Sequence, residues 1–223
     1  MKNLFIYTFA AATLCLTSCE KEKITKADGF AITEEVAAEQ KEDNNTGKYY
    51  LTSQSVAQWN GAGPDANHIG TFAVESEDIK VKKNQLHSGS FVIPISSITD
   101  FDLPEELKPV LLNHLKSADF FNMALYPEAK FNITSVQPYS GTNQNAIDGA
   151  NTLITGDFTL LDQTHSISFP ANINITNGNM HAEAKLIIDR TKWGMNYAAD
   201  PALGDHHIYP NVNIHLKLIG LNK

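Results

Sequence analysis

THSISFPANINITNGNMHAEAKLIID, residues 164–189, alternates apolar and polar residues twice over with a single turn signal between the two halves. In the first half Ile167, Phe169, Ala171, Ile173 and Ile175 share one face, while Ser166, Ser168, Asn172 and Asn174 share the other. Successive side chains of a strand point to opposite sides, so a period of two marks a strand with one dry face and one wet face. Met180, Ala182, Ala184, Leu186 and Ile188 repeat the pattern. Asn177-Gly178 between them tolerates the left-handed backbone of a two-residue hairpin turn. The stretch predicts two long antiparallel strands paired to each other.

Working outward, the same one-sided alternation recurs. Val212, Ile214, Leu216 and Leu218 carry it near the C-terminus, Phe91, Ile93 and Ile95 in SGSFVIPIS, and Phe131 and Ile133 in AKFNITS. KYYLTSQSVAQW, HIGTFAV, DIKVKK and TLITGDFTLL bring the count to eight or nine candidate strands. Long one-sided strands with no helices to cover a second face favour closure. The predicted fold is all-β, an eight-stranded antiparallel, lipocalin-like barrel. One helical insert interrupts it: PEELKPVLLNHLK places Leu107, Leu111, His114 and Leu115 on one face, with Pro104 or Pro109 near its start. Phe120 and Phe121 follow directly and would plug or rim one opening. A barrel of eight strands encloses one ligand or fills with its own side chains, and the alternation is equally compatible with both.

The N-terminus sets the compartment. MKNLFIYTFAAATLCLTSC has an early lysine, an apolar stretch too short to span a bilayer, and small residues before a cysteine. Residues 1–18 read as a lipoprotein signal peptide. Leu16-Thr17-Ser18-Cys19 fits a bacterial lipobox, with Cys19 the lipidated anchor holding an exported envelope protein on a membrane, facing the periplasm or exposed at the outer-membrane surface. Residues 19–47 comprise that cysteine and a charge-rich stretch with Phe30 its only aromatic, too polar to fold alone. As a flexible tether its mean reach is about 30 Å, taking ~5–6 Å times the square root of its length. Residues 48–223 form the barrel domain, monomeric or dimeric.

Charge and chemistry exclude several functions. Removing Lys2 from the 17 basic residues leaves 16 against 25 acidic ones, a net charge of −9 with histidine neutral, which disfavours nucleic acid. Cys15 and Cys19 are the two cysteines, so the barrel domain has neither a disulfide nor a thiolate metal site. There is no G-x-S-x-G elbow and no phosphate-cradling glycine loop. Asp205-His206-His207 is the nearest approach to a metal motif, but neighbouring strand residues face opposite ways and only a loop would let both imidazoles reach one ion. No metal site, cofactor or catalytic residue is assigned.

Several motifs add a resemblance. His114 to Phe121 (HLKSADFF), Tyr126 to Phe131 (YPEAKF), Trp59-Asn60-Gly61, His68-Ile69-Gly70, Gly89 to Ile93 (GSFVI), Gly156 to Leu160 (GDFTL) and Asp189 to Gly194 (DRTKWG) occur in one order along residues 48–220. Together they resemble the YceI-like family, lipocalin-like barrels that bind polyisoprenoids and related amphiphiles. The resemblance implies a long apolar tunnel partly closed by the helical insert, occupied by a long-chain amphiphile and performing no chemistry. The residues expected to face that ligand are Trp59, Phe91, Ile93, Leu111, Leu115, Phe120, Phe121, Phe131, Phe158, Phe169, Ile173, Leu186, Arg190 and Trp193. Arg190 is equally compatible with a structural ion pair to Asp157 or Asp189. The alternative is a structural or stress-response envelope protein with a filled barrel and a protein partner. Three departures stand out: Gly63 where relatives carry lysine, Asn196-Tyr197-Ala198-Ala199 in place of Arg-Tyr-Gly-Ser, and Leu161-Asp162-Gln163-Thr164-His165 in place of a glycine-bearing turn. The first two remove cationic or polar groups from the expected head-group end.

Overall fold

A computed structural model describes residues 47–143 and 145–223. The signal peptide, Cys19 anchor and tether expected from the sequence up to residue 46 lie outside the described residues. The elements are β1 (Gly47–Leu51), β2 (Val56–Ala62), β3 (Asn67–Ala73), β4 (Ile79–Lys82), β5 (Gln85–Ser88), β6 (Ser90–Pro94), α1 (Lys108–Lys116), β7 (Glu128–Pro138), β8 (Thr152–Leu160), β9 (Gln163–Thr176), β10 (Asn179–Asp189) and β11 (Asn211–Asn222).

Eleven strands make eight ribbons, because β1/β2, β3/β4 and β5/β6 are each one run of chain with a short break. β11 pairs with β10 along its length, with β1 at Gly220–Asn222 and with β2 at Asn213–Lys217, which brings the last ribbon back to the first. β2 continues to β3, and β1 to β4 and β5, while β6 to β10 form a meander. All these pairings are antiparallel, so the sheet curls into a nearly closed barrel. At the break between β1 and β2 the buried Ser55 hydroxyl donates to Ile219 O at 3.2 Å and accepts from Ile219 N at 3.0 Å. A side chain thereby supplies the rung that the backbone omits.

Two openings in the ladder shape the molecule. β3 does not pair with β6; the segment just after β3 meets β6 at the single Glu75–Val92 bridge, and a strap over residues 97–102 takes the place of a neighbour along β3. Thr99 N donates to Thr71 O and Phe101 N to Ile69 O, each at 2.9 Å. The strap lies so close that a Cβ on Gly70 would stand 1.7 Å from Thr99 O, which leaves glycine as the residue that fits. On the other side β9 pairs with β10 only over Ala171–Thr176, leaving Gln163–Pro170 and Lys185–Asp189 splayed apart. Pro170, which has no N–H to donate, marks where the pairing with β10 ends.

The hairpins follow turn chemistry. Asn177 and Gly178 both have positive φ, 51° and 76°, as the sequence predicts. Leu161 and Asp162 adopt the same left-handed conformation, φ 50° and 59°, between β8 and β9, so the departure from a glycine-bearing turn keeps the tight hairpin. A leucine is strained there, and Leu161 packs against the core cluster beneath it. The helical insert is shorter than expected. Pro109 falls in the first turn of α1, and Leu107 precedes the helix and is 51% exposed, whereas Leu111, His114 and Leu115 are half-buried toward the barrel. Leu107 is the N-cap of the helix, and its side chain stays exposed.

Candidate functional site

One end of the barrel is solid. Tyr49, Ile79, Val81 and Met180 are at most 2% exposed and pack with Ile175, Val74 and Phe91. Above them the inward apolar residues do not meet across the barrel. Ile133, Ile173, Leu186, Ile214, Leu216 and Leu218 all face inward yet are only half-buried. They border an interior cavity of about 430 Å³, within the range of small-molecule sites. Its surface is overwhelmingly carbon, from aliphatic and aromatic side chains of every ribbon.

Of the fourteen residues expected at a ligand, thirteen border this cavity: Trp59, Phe91, Ile93, Leu111, Leu115, Phe120, Phe121, Phe131, Phe158, Phe169, Ile173, Leu186 and Arg190. Trp193 does not. It is 2% exposed, donates its indole N–H to Phe158 O at 3.1 Å and stands edge-on to Phe158 and His165. It plugs the splay between β9 and β10 from outside the cavity. Residues that the reading of the sequence left off its site also line the wall, among them Phe72, Ile95, Ile98, Ala171 and Ala184. Ala171 and Ala184 lay on the alternating dry face and were legible there. Ile98 belongs to the strap itself, where no periodicity exists to find it.

The side-by-side phenylalanines have two jobs set by backbone geometry. α1 ends with carbonyls that need donors, and the turn after it supplies them: Phe121 N to Leu115 O at 3.0 Å, Asn122 N to Ser117 O at 2.7 Å and Met123 N to Lys116 O at 3.0 Å. This tight turn directs both rings at the mouth. Phe120 is 7% exposed, packed against His114 and Tyr197 with ring centroids 5.0 and 5.2 Å away. Phe121 is half-buried and meets Phe72 edge-on at 5.4 Å.

Arg190 is 3% exposed and makes no ion pair with either acid considered for it. Its guanidinium instead donates to four backbone carbonyls: Met195 at 2.5 Å, Tyr197 and Ile208 at 2.9 Å, and Tyr209 at 3.3 Å. It also lies 5.9 Å from the Phe120 ring centroid. Burial lowers its pKa, partly opposed by the Asp189 charge. One side chain thus ties the 189–210 loop together against the phenylalanine turn. That loop also explains the absent lysine, because a Cβ on Gly63 would lie 2.5 Å from His207 O.

The rim where β3 meets the strap is polar. His68 Nδ1 stands 2.9 Å from Asp102 Oδ2, and Asp102 Oδ1 accepts from Ile69 N at 2.7 Å. Burial works against ionisation of Asp102, but the Ile69 and His68 hydrogen bonds and the His68 charge outweigh it and hold its pKa below the ordinary value. Asp205, His206 and His207 border the cavity mouth, yet their ligand atoms do not gather into a three-ligand cluster among the described residues. Histidine–carboxylate pairs also form between His114 and Asp119 and between His215 and Glu183. In none of the three is a serine hydroxyl hydrogen-bonded to the imidazole.

Comparison with known proteins agrees with this architecture. BcnA of Burkholderia cenocepacia superposes with a TM-score of 0.56 at 17% identity, over 74% of this chain and 96% of that one. A polyisoprenoid binding domain from Saccharophagus degradans implicated in plant cell wall breakdown superposes with a TM-score of 0.57 at 12% identity, over 78% and 98%. At such identities the likeness is one of fold. No curated protein matches in sequence. Residues 51–219 match the family model of the YceI-like domain, and the chain belongs to that family.

Proposed function

We propose that this protein is a non-catalytic binder that sequesters or transports a long-chain apolar amphiphile inside its barrel. A polyisoprenoid, a quinone or a fatty-acid derivative has the required chemistry. The observation that carries the reading is the half-exposure of inward-facing aliphatic side chains onto a cavity of about 430 Å³, which a filled barrel does not have. It also weighs against a filled structural barrel acting only through a protein partner. The binding named for the Saccharophagus degradans domain supports the same class of ligand. The likeness of Leu16–Cys19 to a lipobox supports an envelope membrane as the setting, from which such a ligand can be drawn.

The driving force is removal of hydrocarbon from water. At ~0.8 kcal/mol per buried CH₂, one five-carbon isoprene unit contributes roughly 3–4 kcal/mol before the cost of ordering the chain. Tail length therefore dominates affinity. Arg190, Asp205, His206, His207 and backbone border the head-group end. Arg190 spends four of its five N–H donors on carbonyls, so a neutral or weakly polar head suits it better than a dense anion.

The test is to purify the full chain in mild detergent, extract it with organic solvent and identify lipids by mass spectrometry, then titrate the stripped protein with a polyprenol, a quinone and a fatty amide of matched tail. Stoichiometric binding that strengthens with tail length is expected. Affinity that follows the head group and ignores the tail, or no binding by any of the three, overturns the reading.

A further inference from the structure

A second site lies on the rim, apart from the apolar interior. His68 is on β3, and Asp100 and Asp102 are on the strap that replaces β3's missing neighbour. One ligand atom from each lies within 4.8 Å of the other two. Asp100 is 3% exposed; its Oδ1 accepts from Leu103 N at 2.9 Å, while the buried Oδ2 has no hydrogen-bond donor. A buried carboxylate oxygen without a partner is costly. Two arrangements relieve it: a proton shared with Asp102, or a cation.

We propose that His68, Asp100 and Asp102 bind one divalent transition-metal ion of the zinc class at the cavity mouth. Imidazole with two carboxylates is a donor set for such ions, and two negative charges match a divalent one. Ligand atoms around one zinc lie roughly 3–4 Å apart, given metal–ligand bonds of ~2.0–2.2 Å, so the trio closes by a small side-chain adjustment. The His68 and Asp102 side chains are 29% and 33% exposed, which leaves a path for the ion. Lys108, the neighbouring cation, is engaged with Glu105, Nζ to Oε1 at 2.6 Å. Asp102 already binds the Ile69 amide, so the backbone orients it before the ion arrives. The ion would cross-link the strap to β3 beside the cavity, which His68 also borders. No metal site was assigned from the sequence, because TDFDLPEE carries no ligand spacing and the histidine it meets, His68, is 32 residues upstream of Asp100, beyond the nearer His87.

The probe is zinc itself, added to full-length protein in mild detergent after chelator treatment and desalting, with native mass spectrometry for stoichiometry and calorimetry for affinity. One zinc per chain is expected, with a saturable rise in Tm. Asp100→Asn keeps the Oδ1 acceptor for Leu103 and removes the charge, so it should fold at least as well yet bind at least tenfold more weakly, as should His68→Gln. The assignment is overturned if no stoichiometric zinc binds, which leaves the shared proton as the account of Asp100. It is equally overturned if Asp100→Asn retains full affinity while His206→Gln loses it. No lipid enters the assay, so its failure leaves the cavity reading untouched.

Discussion

Ala184→Phe tests the interior site most sharply. Ala184 sits opposite Ala171 in the β9–β10 ladder, both at most 3% exposed and both on the cavity wall, so this pair of methyl groups helps set the bore. A phenylalanine at 184 adds six ring carbons pointing inward. If these displace about four tail carbons at ~0.8 kcal/mol each, the loss is roughly 3 kcal/mol, or about a hundredfold in affinity. The fold is less affected. The ring gains contacts with Ile154, Phe169 and Leu216, and overpacking costs about 1–3 kcal/mol. At roughly 2–4 °C per kcal/mol for a domain of this size, the unliganded Tm should fall by no more than about 10 °C. The assay is a titration with prenols of increasing length, on samples whose Tm is measured in parallel. The longest tails should lose most affinity and the shortest almost none. Lys185→Phe places the same ring on the outer face and should change nothing. If Ala184→Phe folds and binds the longest prenol as tightly as the native protein, the tail does not run along β9 and β10 and the tunnel reading fails.

The phenylalanines should separate. Phe120→Ala, in the core cluster, should cost about 3–5 kcal/mol of stability, while Phe121→Ser, half-buried, should cost less and chiefly speed ligand release; denaturant titration and a release assay on the same samples check this, and equal stability losses with unchanged release make the pair ordinary core. Arg190→Met leaves four carbonyls of the 189–210 loop without their donor and should cost about 3 kcal/mol or more. Thermal denaturation and hydrogen exchange across the loop decide it, and a variant of native stability refutes the role given to the guanidinium. Cys19→Ser should release the protein from membranes without altering its barrel, and detergent phase partitioning that still retains it in the membrane fraction contradicts the lipobox.

The strands were legible because a strand's period of two is written locally. Each residue's face follows from its neighbour's, as β9, β10 and β11 show, and Asn177-Gly178 declared its turn through the one backbone conformation that pair favours. From those faces the apolar wall, and most of the residues now found around the cavity, could be read directly. Whether that wall enclosed space or touched itself could not be, since alternation specifies direction and not distance; the eight-ribbon closure and the alanines at its centre decide it. The remaining differences have the same origin. Arg190 suggested an ion pair by its charge, and its four carbonyl partners come from a loop that folds back nearly twenty residues later. Trp193 sat in a motif beside it, equally open to a core or plug role, and the separation of β9 from β10 gave it the gap to fill. Asp100 and Asp102 carried no signal at all, because their meeting with His68 comes about only once Gly70 lets the strap lie against β3. What short-range periodicity and turn chemistry encode, the sequence by itself determined; what depends on how far apart distant segments come to rest, only the tertiary structure decided.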